Sequence, residues 1–339
     1  MDDRFFGKYP SFGTKTILMV FKINILSLFI FFLAAAALPA QSKQKPAGSL
    51  TPPAIEQLHL AEDTLALLAY AVVNDSIEQE RFGACRALIT ALVRNLKVDN
   101  SFRYPFERLK SVSIMAPPDS SFRIFTWQLF VNDSTYRYYG AIQMNQGPLQ
   151  LYPLIDRSME MDILPTYEQL PSDRWYGALY YTIRQFDTKQ GRKYLLFGYD
   201  AFEFFTKRKV IDVLSFDQAG KPVFGAPVFE RQNAVGPPEM RMFFEYSAET
   251  SIRVNWDEQY GMVLFDHLIP MPSPFGRGIT AVTDGSYDGL KLEKGRWVFV
   301  EKVFNDFMEK EFRPEPILDA RKQKDILGKE KKTKKKGGK

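Results

Sequence analysis

The chain has 339 residues, of which 25% are charged and 45% hydrophobic, so a largely disordered protein is excluded. Its net charge of +5 comes from the two ends: residues 1–40 contain four basic and two acidic residues, and residues 329–339 contain seven lysines and one glutamate. The remaining residues, 41–328, therefore carry a net charge of −3. Because a nucleic-acid-binding domain needs a basic face within its fold, this distribution argues against nucleic acid as a partner.

The N-terminus has the pattern of an export signal. An almost uninterrupted apolar run, Ile25–Ala40, follows Lys22, ends in small residues and precedes a polar segment. This order predicts a secretory signal peptide over residues 1–40, with cleavage after Ala40 and delivery to the periplasm or the extracellular space.

Two alternatives accompany this prediction. Met19 is a second candidate for the true start, because it gives a signal of ordinary length. An uncleaved N-terminal membrane anchor is the competing hypothesis, since Ile17–Leu38 approaches the ~20 residues that span a bilayer. In both cases the part that follows is not predicted to cross the membrane.

A helical hairpin is predicted over residues 53–99, after a flexible linker at 41–52. Apolar residues of the first helix recur at steps of three and four, namely Leu58, Ala61, Leu65, Leu68 and Val72. Ser76 and Gln79 have the spacing of a capping box and predict the start of the second helix. Its apolar stripe consists of Phe82, Cys85, Leu88, Ile89, Leu92 and Leu96. Its position on this stripe makes the only cysteine a small buried side chain rather than a nucleophile.

Residues 100–313 are predicted to form an antiparallel β domain. Short runs rich in Phe, Tyr, Val and Ile alternate with turn residues such as Asn132-Asp133 and Gln190-Gly191. The predicted strands lie near 106–116, 121–131, 135–145, 174–186, 193–199, 208–216, 241–248, 250–256, 260–268 and 288–300. Links without helices between them favour antiparallel pairing.

Several of these strands are apolar on both faces, which predicts a sheet covered on both sides by a second sheet or by the helices. The fold class is therefore α+β, mainly β, with an N-terminal helical hairpin packed on a large antiparallel β-sheet domain, either sandwich-like or barrel-like. Residues 314–339 are predicted to be a basic disordered tail.

One local pattern suggests calcium. Asp284, Ser286 and Asp288 occupy positions one, three and five of a segment with Gly289 at position six, which matches the opening half of a calcium loop. The closing glutamate expected at position twelve is replaced by Gly295. A structural turn is therefore the competing interpretation, and no cofactor other than this calcium ion is predicted.

Aromatic residues supply the candidate ligand-binding site. Trp175, Tyr176 and Tyr180 lie in one strand-like run, and Tyr136–Tyr139 forms another cluster. Flat rings cover the apolar faces of sugars and peptides, so these residues are candidates for lining a binding groove. Packing in the core is the alternative role.

No established catalytic motif is present in the sequence. His267 is either a general base with a distant carboxylate or a hydrogen-bonded strand histidine, and His59 is interpreted as a surface or interface residue. Paired carboxylates for glycan cleavage need only converge in space. The available acids are Asp162, Glu168, Asp173, Asp200, Glu203, Asp212, Asp257 and Glu258.

These observations lead to two hypotheses of different class. The first is an exported, non-enzymatic binding or assembly component of the cell envelope, with an envelope protein or a glycan as its partner. The second is a glycan hydrolase that uses paired carboxylates of the β domain. The lack of a catalytic signature favours the first hypothesis, and the sequence predicts no oligomeric state.

Overall fold

The computed structural model describes residues 48–304 except 133, 232–235, 274, 275 and 277. The predicted signal peptide and basic tail lie outside the described residues. The described end of the predicted linker is hydrogen bonded to Asn100. The Gly48 amide donates to Asn100 Oδ1 at 2.7 Å, and Asn100 Nδ2 donates to the Ser49 carbonyl at 3.1 Å.

Two antiparallel helices form the predicted hairpin, α1 (Pro52–Asn74) and α2 (Glu78–Leu96). Prolines begin α1, where their missing amide hydrogens cost nothing. The capping box predicted for α2 does not form, because Ile77 occupies the N-cap and its amide donates to Asp75 Oδ1 at 2.9 Å. No helix among the described residues is long and apolar enough to cross a membrane.

Within the described residues, fifteen strands form three sheets. Sheet 1 contains β1 (Ser113–Met115), β2 (Phe122–Asn132), β3 (Thr135–Met144) and β4 (Leu151–Ile155), in that order. Sheet 2 contains β5 (Leu170–Pro171), β6 (Leu179–Thr188), β7 (Gly191–Asp200), β8 (Thr206–Phe216), β9 (Pro222–Phe224) and β11 (Met242–Ser247). Sheet 3 contains β10 (Phe229–Glu230), β12 (Val254–Asp257), β13 (Met262–Pro272), β14 (Ile279–Glu293) and β15 (Arg296–Val300).

The strand order is β5-β9-β8-β7-β6 in sheet 2, with β11 paired to the first half of β8, and β10-β15-β14-β13-β12 in sheet 3. The strands pair antiparallel except for β10 and β15, which pair in parallel. The antiparallel pairing predicted from the short links is therefore confirmed.

The helices and sheets stack in four layers: helical hairpin, sheet 1, sheet 2 and sheet 3. Three buried clusters fill the spaces between successive layers. Along β7, Tyr194 and Leu196 face sheet 1, whereas Leu195 and Phe197 face sheet 3. Sheet 2 is thus buried on both faces, which explains why the centre of β7, Tyr194–Phe197, is a continuous apolar run rather than an alternating one.

Buried charges fix the helical hairpin to sheet 1. The carboxylate of Glu62 on α1 accepts hydrogen bonds from the Tyr104 hydroxyl and the Arg108 amide, each at 2.7 Å. On α2, Arg81 donates through Nε to the Phe130 carbonyl at 2.6 Å, at the end of β2. Arg81 is thus bonded to sheet 1 and Glu62 to the segment between α2 and β1, so the hairpin has one defined position.

Arg123 of β2 is a further buried charge, 4% exposed. Its guanidinium donates to Gln143 Oε1 at 2.8 Å and to the carbonyls of Tyr104 and Ser101 at 2.5 and 2.9 Å. It also stands over the ring of Phe125 at 4.9 Å. Burial lowers the pKa of Arg123 to about 9, so it remains charged at neutral pH.

The predicted fold class is confirmed: in the described part of the chain, two α-helices accompany 45% strand in large antiparallel sheets. The sequence did not predict the short strands β4, β5, β9 and β10 or the first half of β14. The predicted strand at 288–300 is the second half of β14 followed by β15, which are joined by a turn at Lys294-Gly295.

Candidate functional site

A cavity of about 360 Å³ combines aromatic and acidic residues from distant parts of the chain. Its walls come from the start of β3, from residues 158–164 after β4, and from the connection between β7 and β8. We call it the cavity. It is lined by Ser134, Thr135, Tyr136, Tyr138, Ser158, Met159, Met161, Asp162, Leu164, Tyr176, Asp200, Phe202, Glu203 and Arg208.

Asp156 organises one wall of the cavity. Its Oδ1 accepts hydrogen bonds from the Ser158 amide at 2.9 Å and the Gly177 amide at 3.2 Å, and its Oδ2 accepts from the Tyr138 amide at 3.0 Å. A side chain at position 177 would collide with the Asp156 carboxylate, so only glycine permits this approach. One carboxylate thereby fixes three separate segments around the cavity.

Asp200 forms the floor of the cavity and is only 5% exposed. Its Oδ2 accepts from the Tyr176 hydroxyl at 2.6 Å, and its Oδ1 accepts from the Tyr138 hydroxyl at 3.1 Å and the Phe202 amide at 2.9 Å. Burial raises the pKa of Asp200, and these hydrogen bonds offset part of that increase. Both oxygens are occupied by protein donors, so Asp200 shapes the cavity from below.

The connection between β7 and β8 forms the rim. Phe202 has a left-handed backbone, with φ at 45°, a conformation that costs a non-glycine residue roughly 1–3 kcal/mol. The Arg208 guanidinium stacks 3.2 Å from the centre of the Phe202 ring and donates through Nη2 to Glu245 Oε2 at 2.8 Å. The arginine thus supports the strained turn.

Lys207 supports the same turn from its other side. Its Nζ donates to the Ala201 and Glu203 carbonyls at 3.0 and 2.6 Å, and it stands 5.7 Å from the centre of the Tyr136 ring. Lys207 is thus bonded to backbone carbonyls and Arg208 to Glu245, and among the described residues neither cation forms an ion pair with Asp162 or Glu203.

The carboxylates of Asp162 and Glu203 are exposed at the cavity mouth. No described side chain forms an ion pair or a hydrogen bond with either of them. Together with Asp200, the lining holds three carboxylates and the single guanidinium of Arg208. Such a lining accepts hydrogen bonds from hydroxyl groups or attracts a cation, and it repels anions.

The predicted ligand-binding residues separate in the structure. Trp175 and Tyr180 have no exposed surface and bind each other through Trp175 Nε1 and the Tyr180 hydroxyl at 2.9 Å. Tyr176 is 2% exposed but lines the cavity through its hydroxyl end. Packing is thus the role the structure gives Trp175 and Tyr180, and a ligand contact stays a prediction for Tyr176.

The predicted acids also separate. The cavity brings together Asp162, Asp200 and Glu203 from the eight candidates. Four others lie in ion pairs elsewhere: Glu168 with Arg174, Asp212 with Arg241, Asp257 with Arg253, and Glu258 with Arg184. Asp173 lies on a short 3-10 helix, Ser172–Arg174, outside the cavity.

The predicted calcium residues lie within strand β14 and not in a loop. Gly285 adopts φ at 86°, and Asp284 Oδ1 accepts from the Ser286 amide and hydroxyl at 2.9 and 2.6 Å. Asp288 pairs instead with His267 and with the Lys302 amide. Within the described part of the chain, no group of three or more His, Cys, Asp or Glu side chains can hold a metal ion.

His267 and Asp288 form a pair that sequence spacing did not reveal. His267 Nδ1 lies 2.8 Å from Asp288 Oδ2. The register between β13 and β14 shifts at His267, and this bulge turns the imidazole towards a residue 21 positions later. This contact with a distant carboxylate fits both predicted roles of His267, the hydrogen-bonded strand histidine and the general base, so both stay predictions.

Sequence reasoning missed Asp156 and Arg208, which position the walls and the rim. Their roles depend on contacts across sheets, and the only local signals were the Asp-x-Ser spacing at Asp156 and the basic run at 207–209. No family model matches the chain, no curated protein is significantly similar to it, and no solved structure matches it.

Proposed function

We propose that this protein is an exported, non-enzymatic binding component of the cell envelope and that the cavity is its recognition site. The observation that carries the proposal is the pairing of aromatic rings with two exposed carboxylates, Asp162 and Glu203, around a walled space. This combination suits a neutral polyhydroxylated group or a cationic group of an envelope protein or glycan.

Binding is favoured over catalysis because Asp200 is enclosed. A carboxylate that accepts three hydrogen bonds from the protein is neither a free nucleophile nor an acid aimed at a ligand. The export signal predicted from the N-terminal sequence places the recognition site outside the cytoplasm in this proposal.

The proposal is tested by photo-crosslinking in the cells that export the protein. A benzophenone amino acid replaces Met159, which is 64% exposed at the cavity, or Leu60, which is 65% exposed on α1. After irradiation, the attached material is identified by mass spectrometry. We expect a stoichiometric protein or glycan adduct from position 159 but not from position 60, reduced at least fivefold by Asp162→Lys or Glu203→Lys.

The opposite result is equally clear. No adduct at position 159, or the same adducts from both positions, contradicts a recognition site at the cavity. N-terminal sequencing of the same material tests export: a mature chain that begins near Gln41 supports it, and a chain retained in the cytoplasm with its leader intact contradicts it.

Glycan hydrolysis is the second candidate function, and one observation favours it. Such chemistry needs a pair of carboxyl groups. The cavity contains three, and burial raises the pKa of one of them, Asp200. A hydrolase would release reducing ends from envelope polysaccharides, and Asp162→Asn would lower that rate at least 100-fold. The binding proposal expects no release above the rate in buffer.

A further inference from the structure

A second concave surface adjoins the cavity. It has a volume of about 440 Å³ and lies between β8 and β11 on one side and the outer parts of β13 and β14 on the other. We call it the cleft. It is lined by Glu203, Phe205, Thr206, Glu245, Leu268, Pro270, Ser273, Ile279, Thr280 and Ala281.

The cavity and the cleft are contiguous. Glu203 lines both of them. The ion pair between Arg208 Nη2 and Glu245 Oε2, 2.8 Å long, joins a residue of the cavity to a residue of the cleft. Together the two form one groove that passes over the turn between β7 and β8 and is longer than a single small ligand requires.

Exposed apolar side chains line the course of this groove. Met159 lines the cavity and Ile279 lines the cleft, 64% and 72% exposed; Phe204, which lines neither, is 54% exposed on the turn between them. Large apolar side chains in such positions are typical of surfaces that bind another protein.

The strands beside the cleft favour an extended peptide over a glycan. β11 pairs with β8 along one edge, and among the described residues no strand pairs with its other edge. The outer part of β13, from Leu268 to Pro272, pairs with β14 alone, because β12 reaches only to Phe265. The edge of β11 offers backbone donors and acceptors that an extended peptide can match, whereas Pro270 and Pro272 leave the outer part of β13 with carbonyl acceptors and few donors.

The negative charge of the groove favours a positively charged ligand. Its lining contains the carboxylates of Asp162, Asp200, Glu203 and Glu245 and a single cation, Arg208. Arg208 is paired with Glu245, and Asp200 is enclosed, so Asp162 and Glu203 supply the free negative charge. A basic side chain placed between aromatic rings and these carboxylates gains both ion pairing and cation–π contact.

We propose that the groove binds an extended segment of a partner protein, with a lysine or arginine side chain of that segment in the cavity and its neighbouring residues in the cleft. This inference rests on the proposed binding function and assigns its ligand class. A neutral glycan would use the cavity without the free strand edges or the apolar rim.

The test uses protein purified after expression of the full-length chain and three pools of synthetic decapeptides. The peptides are acetylated and amidated, have mixed uncharged residues, and differ only in a central lysine, glutamate or norleucine. We expect the lysine pool to bind at least tenfold more tightly than the glutamate pool, with norleucine between them. Tetrapeptides with the same lysine reach only the cavity and are expected to bind at least tenfold more weakly than decapeptides.

Matched variants locate the binding. Glu203→Lys removes the preference for lysine, whereas Glu56→Lys, an exposed change on α1, preserves it. Phe204→Ser weakens the decapeptides about fivefold and leaves the tetrapeptides unchanged, and Leu60→Ser alters neither. All four positions are exposed, so circular dichroism of each variant should match that of the parent protein.

Two results overturn the inference: equal binding of the lysine and glutamate pools, or a preference that survives Glu203→Lys. If peptides fail to bind while Met159 still gives an adduct that depends on Asp162 and Glu203, the peptide ligand is wrong and the proposed binding function stands. If both experiments fail, the cavity is not a recognition site.

Discussion

Charged side chains are buried and paired beneath the helices but exposed around the cavity, which lies beside the turn between β7 and β8. Under the helices, Glu62, Arg81 and Arg123 are buried, and each is hydrogen bonded to groups of the protein itself. Around the cavity, Asp162 in the segment after β4 and Glu203 at the turn between β7 and β8 remain exposed without a described side-chain partner. Satisfied buried charges give a layer one fixed position, whereas exposed carboxylates on a rigid frame retain their capacity for a ligand.

Backbone strain does not separate the two regions. Phe106, buried beneath the helices, has φ at 55°, and Phe202, supported by the cation of Arg208, has φ at 45°. The two regions therefore differ in whether their charges are paired within the protein and not in the strain of their backbone.

The substitution with the largest expected effect is Arg123→Met, which tests whether the charges beneath the helices stabilise the fold. The change leaves the carbonyls of Tyr104 and Ser101 and the Gln143 side chain without their donor in a buried site. We expect the free energy of unfolding to fall by about 3–5 kcal/mol, measured by urea denaturation. Arg86→Met, at an exposed position of α2, is the control and should cost under about 0.5 kcal/mol.

Glu62→Gln is the next largest change, with an expected loss of about 2 kcal/mol at pH 7. Burial raises the pKa of Glu62, but hydrogen bonds from the Tyr104 hydroxyl and from Arg108 outweigh burial, and the pKa lies below its ordinary value of 4.5. The ionised carboxylate therefore stabilises the fold above that value, and the contribution is lost as pH falls through the folded pKa.

Urea denaturation of the Glu62→Gln variant between pH 7 and pH 3 checks this sign. The difference from the parent protein should shrink towards zero below pH 4.5. Glu56→Gln, an exposed change on the same helix, should show little difference at any pH. A Glu62→Gln deficit that grows in acid would mean that Glu62 is not held in its ionised form.

Tyr176→Phe tests how a buried carboxylate, Asp200, is stabilised at the cavity. It removes the 2.6 Å hydrogen bond to Asp200, with an expected cost of about 1–2 kcal/mol at pH 7. Burial raises the pKa of Asp200 in the folded protein, so the fold loses stability as pH rises through that pKa and the carboxyl ionises. Loss of the Tyr176 donor raises the pKa further, so the variant loses more stability over this range than the parent protein. The deficit should therefore be smaller in acid.

Thermal denaturation across the same pH range measures the effect, and Tyr70→Phe, at an exposed position of α1, is the control. If Tyr176→Phe has no effect on stability but weakens ligand binding, its hydroxyl serves the ligand rather than Asp200. Equal deficits at pH 4 and pH 7 would show that Asp200 does not titrate between them.

Local patterns were sufficient for the elements that bury a periodic face. Leu58, Leu65 and Val72 recur at helical spacing and are fully buried, as are Cys85 and Leu88 on α2. The run 174–183, apolar on both faces, also predicted a sheet covered on both sides, and sheet 2, to which its second half belongs, is covered in this way. Short strands such as β5 and β10 have two residues each, too few for any periodicity to be visible.

Local sequence patterns could not predict the cavity, because its residues come together only in the folded structure. Asp156 and Gly177 are 21 positions apart, and Tyr138 and Asp200 are 62 apart. The acids Asp162, Asp200 and Glu203 were candidates from the sequence, but nothing local distinguished them from Asp212, which lies in a buried ion pair with Arg241. The choice among carboxylates depends on the stacking of sheets 1 and 2.

The buried position of Cys85 gives the molecule a built-in reporter of its own local opening. The thiol is 1% exposed between α2 and the rings of sheet 1, and burial raises its pKa, so a thiol reagent cannot reach it or find it ionised in the closed state. Since the chain has one cysteine, each labelled molecule records an opening, local or global, that exposes this one position. When opening is a rapid equilibrium, the labelling rate relative to that of an unprotected thiol gives the free energy of that opening in the unmodified protein.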